Sequence, residues 1–358
     1  MAPPRLVISL PQLLRLPAAD DAPSRARGRA AAAPGPGRNA APGLARLLAA
    51  AGRPAREDDG SDAALAAVYG IARQQDWPLA AIGAASHGLD PGPGYWLCAD
   101  PVTLVAGRDD VQLVGRVADL EPADVAALLA TLNAHFAADG LAFVAPAADA
   151  WFARVEGAPA IATRPLATVL GATLRTSLPA GADAGKWRRW QNEIQMLLHD
   201  HPVNAVREAT GRPVANSLWF WGGGSAVAPA PDATRIRSYA DGGMTSALAR
   251  HAGRPARPPP AALDSVLADC AGDDTDGIVV ALPPPLALAD LERDWTAPAW
   301  SALASGALGA VTLIADGGGA AIVATARRPG AWARLAARLA APALAPLLAA
   351  ARNVADER

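Results

Sequence analysis

Between Lys186 and Gly224 the chain reads KWRRWQNEIQMLLHDHPVNAVREATGRPVANSLWFWGGG, and this run restricts the fold more than any other. Trp187, Trp190, Ile194, Leu197 and His201 recur at helical spacing, which predicts a helix over 187–201 with one apolar face. Pro202 has no N–H to donate and forces an end or a kink there. Leu218 to Trp221 is then a short buried strand, read as exiting tightly at Gly222, Gly223 and Gly224. Four of the ten Trp fall in this run, and Trp151 lies upstream of it. Such a concentration of large side chains, in a chain otherwise rich in Ala, Pro and Gly, implies a specific packing or binding role.

The chain has 358 residues, 51% of them hydrophobic, enough for one large or two ordinary domains with a sizeable core. A net charge of −2 argues against a nucleic-acid or anionic-membrane binder, whose footprint is basic. Cys98 and Cys270 are the only cysteines, too few for a disulfide framework or a Cys-rich zinc site, and a cytoplasmic location is expected. No window of about 20 apolar residues is long enough to span a bilayer. The opening MAPPRLVISLPQLLRL has early prolines and no small-residue cleavage site, so it is not read as a signal peptide.

Along the chain, RLVISL (Arg5 to Leu10) reads as a buried first strand, and 22–42 as a mobile Ala/Pro/Gly loop. A helix is predicted from Pro42 to Ala51 with Gly52 as its stop, and another from Ser61 to Gln75 with Ser61 as N-cap. Tyr95 to Leu104 and Val111 to Val114 read as strands joined by a turn at Arg108-Asp109-Asp110. A helix follows over Leu120 to Ala138, then strands at Ala142 to Val144 and Trp151 to Val155, making a compact α+β module. Further on come a strand at Ile278 to Leu282 and a helix at Leu286 to Ala304. A hairpin of Ala310 to Ala315 with Ala320 to Ala326 turns through Asp316 to Gly319. The tail from Trp332 to Arg352 reads as Ala/Leu helices broken near Pro342 and Pro346.

NSLWFWGGG at Asn216 to Gly224 resembles the N-x-x-W-x-W-G-x-G segment of archaeal-type cofactor-independent phosphoglycerate mutases, members of the alkaline-phosphatase superfamily. HPVNAVREATGRPVAN resembles the approach to that segment. YWLCADPVTL, LEPADVAALLATLN and LAFVAPAADAWFARV resemble the family's inserted domain. The likeness runs from about Gly94 to Gly224. The chain also resembles the RpfE-type regulatory proteins, through W-L-x-A-D-P-V at Trp96 to Val102 and N-E-I-Q-M-L-L-H-x-H-P-V-N at Asn192 to Asn204. The resemblance implies an α/β fold: a reduced alkaline-phosphatase-like core with a smaller α+β inserted domain. Residues 1–93 and 181–358 are assigned to the core, the latter with the terminal hairpin and helices, and 94–180 to the insertion.

Active mutases of this family hold two divalent metals with Asp and His and form a phosphoenzyme on a Ser or Thr. Here RLVISL lacks the Asp-Gly expected after it. APGLARLLAAAG has Gly43 and Ala45 where the family's T-P-N-x-D-x-L-A helix has Asn and Asp. IVVALPPPLALADLERD contains no His where the family has H-V-E-x-x-D-E-x-G-H. A two-metal site needs several such ligands. The expectation is therefore a non-catalytic regulatory or ligand-sensing protein, with no catalytic residue, no metal ligand and no cofactor. The alternatives are a phosphoglycerate mutase or phosphatase using a divalent metal such as Mn, or a structural interaction module. The expected partner is a protein or a small anionic ligand, with neither nucleic acid nor membrane. Candidate ligand-binding residues are His201, Asn204, Arg207, Asn216, Gly222, Gly223 and Gly224, expected to converge at the glycine turn. For the histidines the competing reading is helix capping, for Arg207 and Asn204 a loop clasp, and for the glycines a tight strand exit.

Overall fold

The computed structural model describes residues 3–11, 13–15, 41–107, 110–171, 174, 177–284, 286–317, 319–330 and 341–356. The fold is mixed α/β, with two sheets. Among the described residues the strands are β1 (Arg5–Ser9), β2 (Ala55–Glu57), β3 (Tyr95–Ala106), β4 (Val111–Arg116), β5 (Leu141–Ala147), β6 (Ala150–Val155), β7 (Ser217–Ser225), β8 (Ile236–Tyr239), β9 (Gly277–Ala281), β10 (Ala310–Asp316) and β11 (Ala321–Arg327). Two compact units result. One comprises Met1–Ala64, Asp232–Ala249 and Arg254–Arg358; the other comprises Leu65–Pro231 and Arg250–Gly253.

The first unit is built on a six-stranded sheet of order β2-β11-β10-β1-β9-β8. β1 lies parallel to β9 and β10, β8 is parallel to β9, and β11 runs antiparallel to β10. Leu6, Val7, Ile8, Ile278, Val279 and Val280 are all buried. Near-continuous apolar strands of this kind are what a parallel sheet covered on both faces demands. The helix Pro42–Ala51 packs on this core through Leu44, Leu47 and Leu48. Gly43 allows a close helix crossing, since a Cβ there would stand 2.6 Å from Ala297 Cα.

Several expected elements take a different form. The helix beginning at Gly60 stops at Val68 rather than Gln75, because Gly70 turns the chain with φ of 69°. The expected Leu286 to Ala304 helix is three pieces: Leu288–Leu291, a π-helical turn at Glu292–Thr296, and Ala297–Ser305. Pro298 cannot donate in the α register, and a π turn just before it absorbs the missing bond. The last helix, Leu344–Asp356, runs through Pro346, which sits in its first turn where no intrahelical donor is required. The 22–40 part of the expected loop, Arg108 and Asp109, Gly318 and 332–340 lie outside the described residues.

In the second unit β3 is central. Along one edge it pairs antiparallel with β7, from Tyr95↔Ser225 to Val102↔Ser217. Along its other edge its first half pairs with β6 and its second half with β4, while β5 adds on to β6. One face carries the helices Pro122–Phe136 and Ala184–His199, which bury Leu128, Leu132, Phe136, Trp187, Trp190 and Ile194 against Leu97, Phe143 and Phe220. The other face carries the alanine-rich helix Leu79–Ser86 against Trp96, Cys98 and Phe152. That helix, the Gly243–His251 and Leu263–Asp269 helices, β2 and β8 have no counterpart in the sequence reading.

This pairing also moves the boundaries. The sequence places 94–180 in the smaller module, whereas the compact unit runs from Leu65 to Pro231. β7 belongs to it as the partner of β3, and the Ala184–His199 helix belongs to it because its Trp face covers the same sheet. In that face Leu198 takes the buried core position and Leu197 packs half-buried beside it. Trp190 is buried with its ring edge-to-face to Trp187 at 5.1 Å and to Phe136 at 6.3 Å. Trp190→Ala is expected to destabilise the protein by roughly 3–5 kcal/mol through the cavity it leaves, read by urea unfolding; a variant as stable as the parent would contradict this packing.

Candidate functional site

His201, Asn204 and Arg207 gather where the Trp helix gives way to the helix Pro202–Ala209 and then to β7. His201 is the N-cap of that second helix: its Nδ1 accepts from Val203 N at 3.2 Å, and its Nε2 lies 3.0 Å from Thr131 Oγ1. Accepting at Nδ1 requires the neutral ring, and burial lowers the His201 pKa from its usual value. Asn204 donates to Leu198 O at 2.7 Å and Ala215 O at 3.0 Å, and accepts from Ala215 N at 2.9 Å. Its amide therefore welds the helix end to the residue that leads into β7.

Arg207 is 2% exposed. Its Nε donates to Pro213 O at 2.7 Å, its Nη2 pairs with Asp119, and Asp124 lies 3.8 Å from Nη1. The Arg207 hydrogen bond is the main cause holding the Asp119 carboxyl below its ordinary pKa, with Arg212 assisting. Of the two histidines flanking Asp200, His199 is 80% exposed and stands in solvent.

Asn216 and the glycines lie elsewhere. The Asn216 side chain donates to Leu104 O and accepts from Leu104 N, both at 2.8 Å, mimicking one more rung of the β3–β7 ladder. Gly222, Gly223 and Gly224 are inside β7, not in a turn after it, and Gly224 pairs with Trp96 at the opposite end of β3. Eight residues of extended strand separate Asn216 from Gly224 by about 25 Å, so the expected convergence on the glycines does not occur. The glycines are required by what crosses them: a Cβ on Gly224 would lie 2.5 Å from Pro78 Cβ, and one on Gly222 would lie 3.3 Å from Leu79 Cβ.

The two segments that carry the family resemblance are tied together by Asp100. Its Oδ2 accepts from Trp221 Nε1 at 2.6 Å and its Oδ1 pairs with Arg116 at 2.9 Å. Burial raises the Asp100 pKa against the opposing pull of Arg116.

In open α/β sheets, ligands bind at the carboxyl ends of the parallel strands. In the first unit β10 ends at Asp316, whereas the ends of β1 and β9 are apolar, Leu10 and Pro11 following β1 and Leu282, Pro283 and Pro284 following β9. With Leu13, Leu286 and Leu291 they line a crevice of about 30 Å³. The amides at the start of the Pro42–Ala51 helix, a natural anion site, are filled from within. Glu292 accepts from Gly43 N at 2.6 Å, from Leu44 N at 3.1 Å and from Thr296 Oγ1 at 2.6 Å. The π turn that carries Glu292 and Thr296 could not be read from sequence, and neither could this cap. Among the described residues no group of three or more His, Cys, Asp or Glu comes together in a way that could hold a metal. The donor set does not fit the two-metal centre that the family resemblance implies.

No protein-family model matches the chain, and no curated protein matches it. Among solved structures it is similar to a cofactor-independent phosphoglycerate mutase from Thermoplasma acidophilum, with 16% identity and a TM-score of 0.38, covering 90% of this chain and 89% of that one. It is also similar to a protein from Pyrococcus horikoshii, with 14% identity and a TM-score of 0.44, covering 100% of this chain and 99% of that one.

Two outcomes follow from the helix-to-strand junction. Arg207→Ala is expected to cost about 3 kcal/mol in unfolding experiments, less than a fully enclosed pair because Asp119, 53% exposed, can rehydrate. His201 has a folded-state pKa below its unfolded value, so its contribution is full above about pH 6.5 and declines as pH falls through and below that point. The stability gap between the parent and His201→Asn should therefore be larger at pH 7.5 than at pH 5, and a gap that widened on acidification would refute the assignment.

Proposed function

We propose that this chain is a non-catalytic regulatory or ligand-sensing protein built on a mutase-like scaffold. The observation that carries the reading is the Glu292 cap. A carboxylate of the chain's own occupies the helix N-terminus at which a phosphoryl group would be received, and leucine and proline follow β1 and β9 where the resemblance would call for metal ligands. The resemblance of Trp96 to Val102 and Asn192 to Asn204 to the RpfE-type regulatory proteins supports the same reading. The feature that would favour an interaction module, an exposed apolar face on the terminal helix, is countered by the burial of Leu344, Leu348, Ala351 and Val354. A cytoplasmic setting accords with two free thiols and with the lack, among the described residues, of any helix long and apolar enough to cross a membrane.

The competing reading is a metal-dependent mutase or phosphatase. The purified full-length protein, supplied with Mn, should neither interconvert phosphoglycerates nor hydrolyse phosphate monoesters. Its metal content after gel filtration should be well below one equivalent. Stoichiometric metal with turnover would overturn the proposal. Glu292→Ala should lower stability by about 2–4 kcal/mol, since it strips two helix amides and a buried hydroxyl of their acceptor. It should not create activity.

A further inference from the structure

The helix Ala184–His199 buries its Trp face and turns Arg189, Asn192, Met196 and His199 to solvent, a stripe that repeats at spacings of three and four. The start of this outer face is basic. Lys186 stands in the first turn, Arg188 and Arg189 follow in the second, and all three are exposed. The first turn holds no acidic residue, although the amides there favour negative charge and disfavour a cation. Lys186 and Arg189, at i and i+3, add like-charge repulsion. The carboxylates that could offset it are turned elsewhere. Glu193, one turn beyond Arg189, pairs with His135 at 3.1 Å. Asp183, before Lys186, accepts from Ala160 N at 2.7 Å. Lys186 Nζ lies 4.2 Å from the centroid of the Trp190 ring, a contact that positions its charge without neutralising it. Among the described residues none of the three cations forms an ion pair. Met196, two turns from Arg189, is 75% exposed, the most exposed of the large apolar side chains described.

We propose that this outer face docks an acidic segment of a partner protein, with Lys186, Arg188 and Arg189 receiving carboxylates and Met196 an apolar side chain beside them. Charge complementarity carries the choice of occupant. Unneutralised cations clustered on a chain of net charge −2 are a local feature, not part of a general basic field. A guanidinium offers a planar fork that matches a carboxylate, and arginine clusters are a recurrent means of reading acidic motifs. Attraction to an anionic membrane takes a cluster of about four to eight Lys or Arg, and a nucleic-acid surface is basic across its domain; this helix start has neither. Methionine suits a partner surface because its unbranched thioether adapts to the shape it meets. Met196 lies about 10 Å along the helix axis from Arg189, the span of about three residues of extended peptide. The arrangement therefore selects an acidic run with an apolar residue about three positions beyond it. This inference gives the regulatory reading a partner class and rests on that reading only for its biological meaning, because binding is measured apart from turnover.

The test is fluorescence anisotropy of the full-length protein with a labelled peptide of consecutive glutamates that carries a leucine three residues beyond them on either side. The same peptide with lysine for glutamate, the acidic peptide with alanine for leucine, a single-stranded oligonucleotide and phosphatidylserine vesicles are the comparisons. The acidic peptide should bind with a Kd below about 1 mM and weaken by about tenfold or more between about 50 and about 500 mM salt. Alanine for leucine should cost it about threefold or more, and the lysine peptide should not bind. Neutralising Arg188→Gln together with Arg189→Gln should weaken peptide binding by about tenfold or more. The melting temperature of that variant should be unchanged or higher, since it loses like charges beside Lys186. Absence of peptide binding, undiminished binding by the variant, or a fall in its melting temperature that marks the arginines as structural would overturn the proposal. Tighter binding of the oligonucleotide or the vesicles, or a dimer in sedimentation that the variant dissolves, would give the surface another occupant and overturn it as well. A chain that bound the acidic peptide and also turned over phosphate esters would sink the non-catalytic reading and leave this one standing.

Discussion

The second unit depends on β3 being hydrogen-bonded along both edges. Its pairing with β7 joins Tyr95 to Ser225 and Val102 to Ser217 across a segment that contains β4, β5, β6 and the two helices of the Trp face. Closing so long a loop costs chain entropy, but the cost grows only logarithmically with length, and the ladder's ends are reinforced by side chains. Asn216 adds a rung beyond Ser217. Gln191 donates from the Trp helix to Ser217 Oγ at 2.6 Å and to Leu218 O at 2.8 Å. Asp100 clasps Trp221 across the pair. The polar residues that look like a ligand constellation along the sequence are in large part the fittings of this one pairing.

What was legible in the sequence follows from where the signal lay. The Trp helix could be read because its apolar residues repeat at 3.6 and Pro202 marks its end. Strands β1, β3, β6, β9, β10 and β11 could be read from apolar runs of strand length. The glycines of β7 were misread because three Gly in a row signal a turn locally. Their actual cause is non-local: a Cβ on Gly224 would strike Pro78 and one on Gly223 would strike Tyr95, while Gly222 takes a positive φ beside Leu79. The Leu79–Ser86 helix was invisible for a related reason. LAAIGAAS is apolar at nearly every position, so it has no amphipathic period to detect, being buried on nearly all sides. β8 was missed because IRSY is short and carries Arg237, whose charge is met by Asp273 only once the fold brings them together. The domain boundary failed with the glycines: whoever reads β7 as leaving the sheet cannot assign it as the partner of β3.

The candidate site divides in the same way. His201, Asn204 and Arg207 meet, as a junction between helix and strand. Glu292 escaped because its role depends on a π turn and on a helix start 248 residues away in sequence, where Leu44 is its partner. No spacing rule covers such a contact.

Whether a polar group serves the fold or awaits a ligand is decided by the state of its hydrogen bonds. A buried group left unmatched costs the protein its full desolvation penalty, so the interior retains such groups only when they are paired. Asn204, Arg207 and Glu292 have their donors or acceptors engaged inside the chain, and a ligand at any of them would first have to break a satisfied contact. Arg154 and Glu156 sit differently. They face solvent, where an unpaired charge is tolerated because water solvates it. The residues that best resemble a known site are thus the ones least free to act as one.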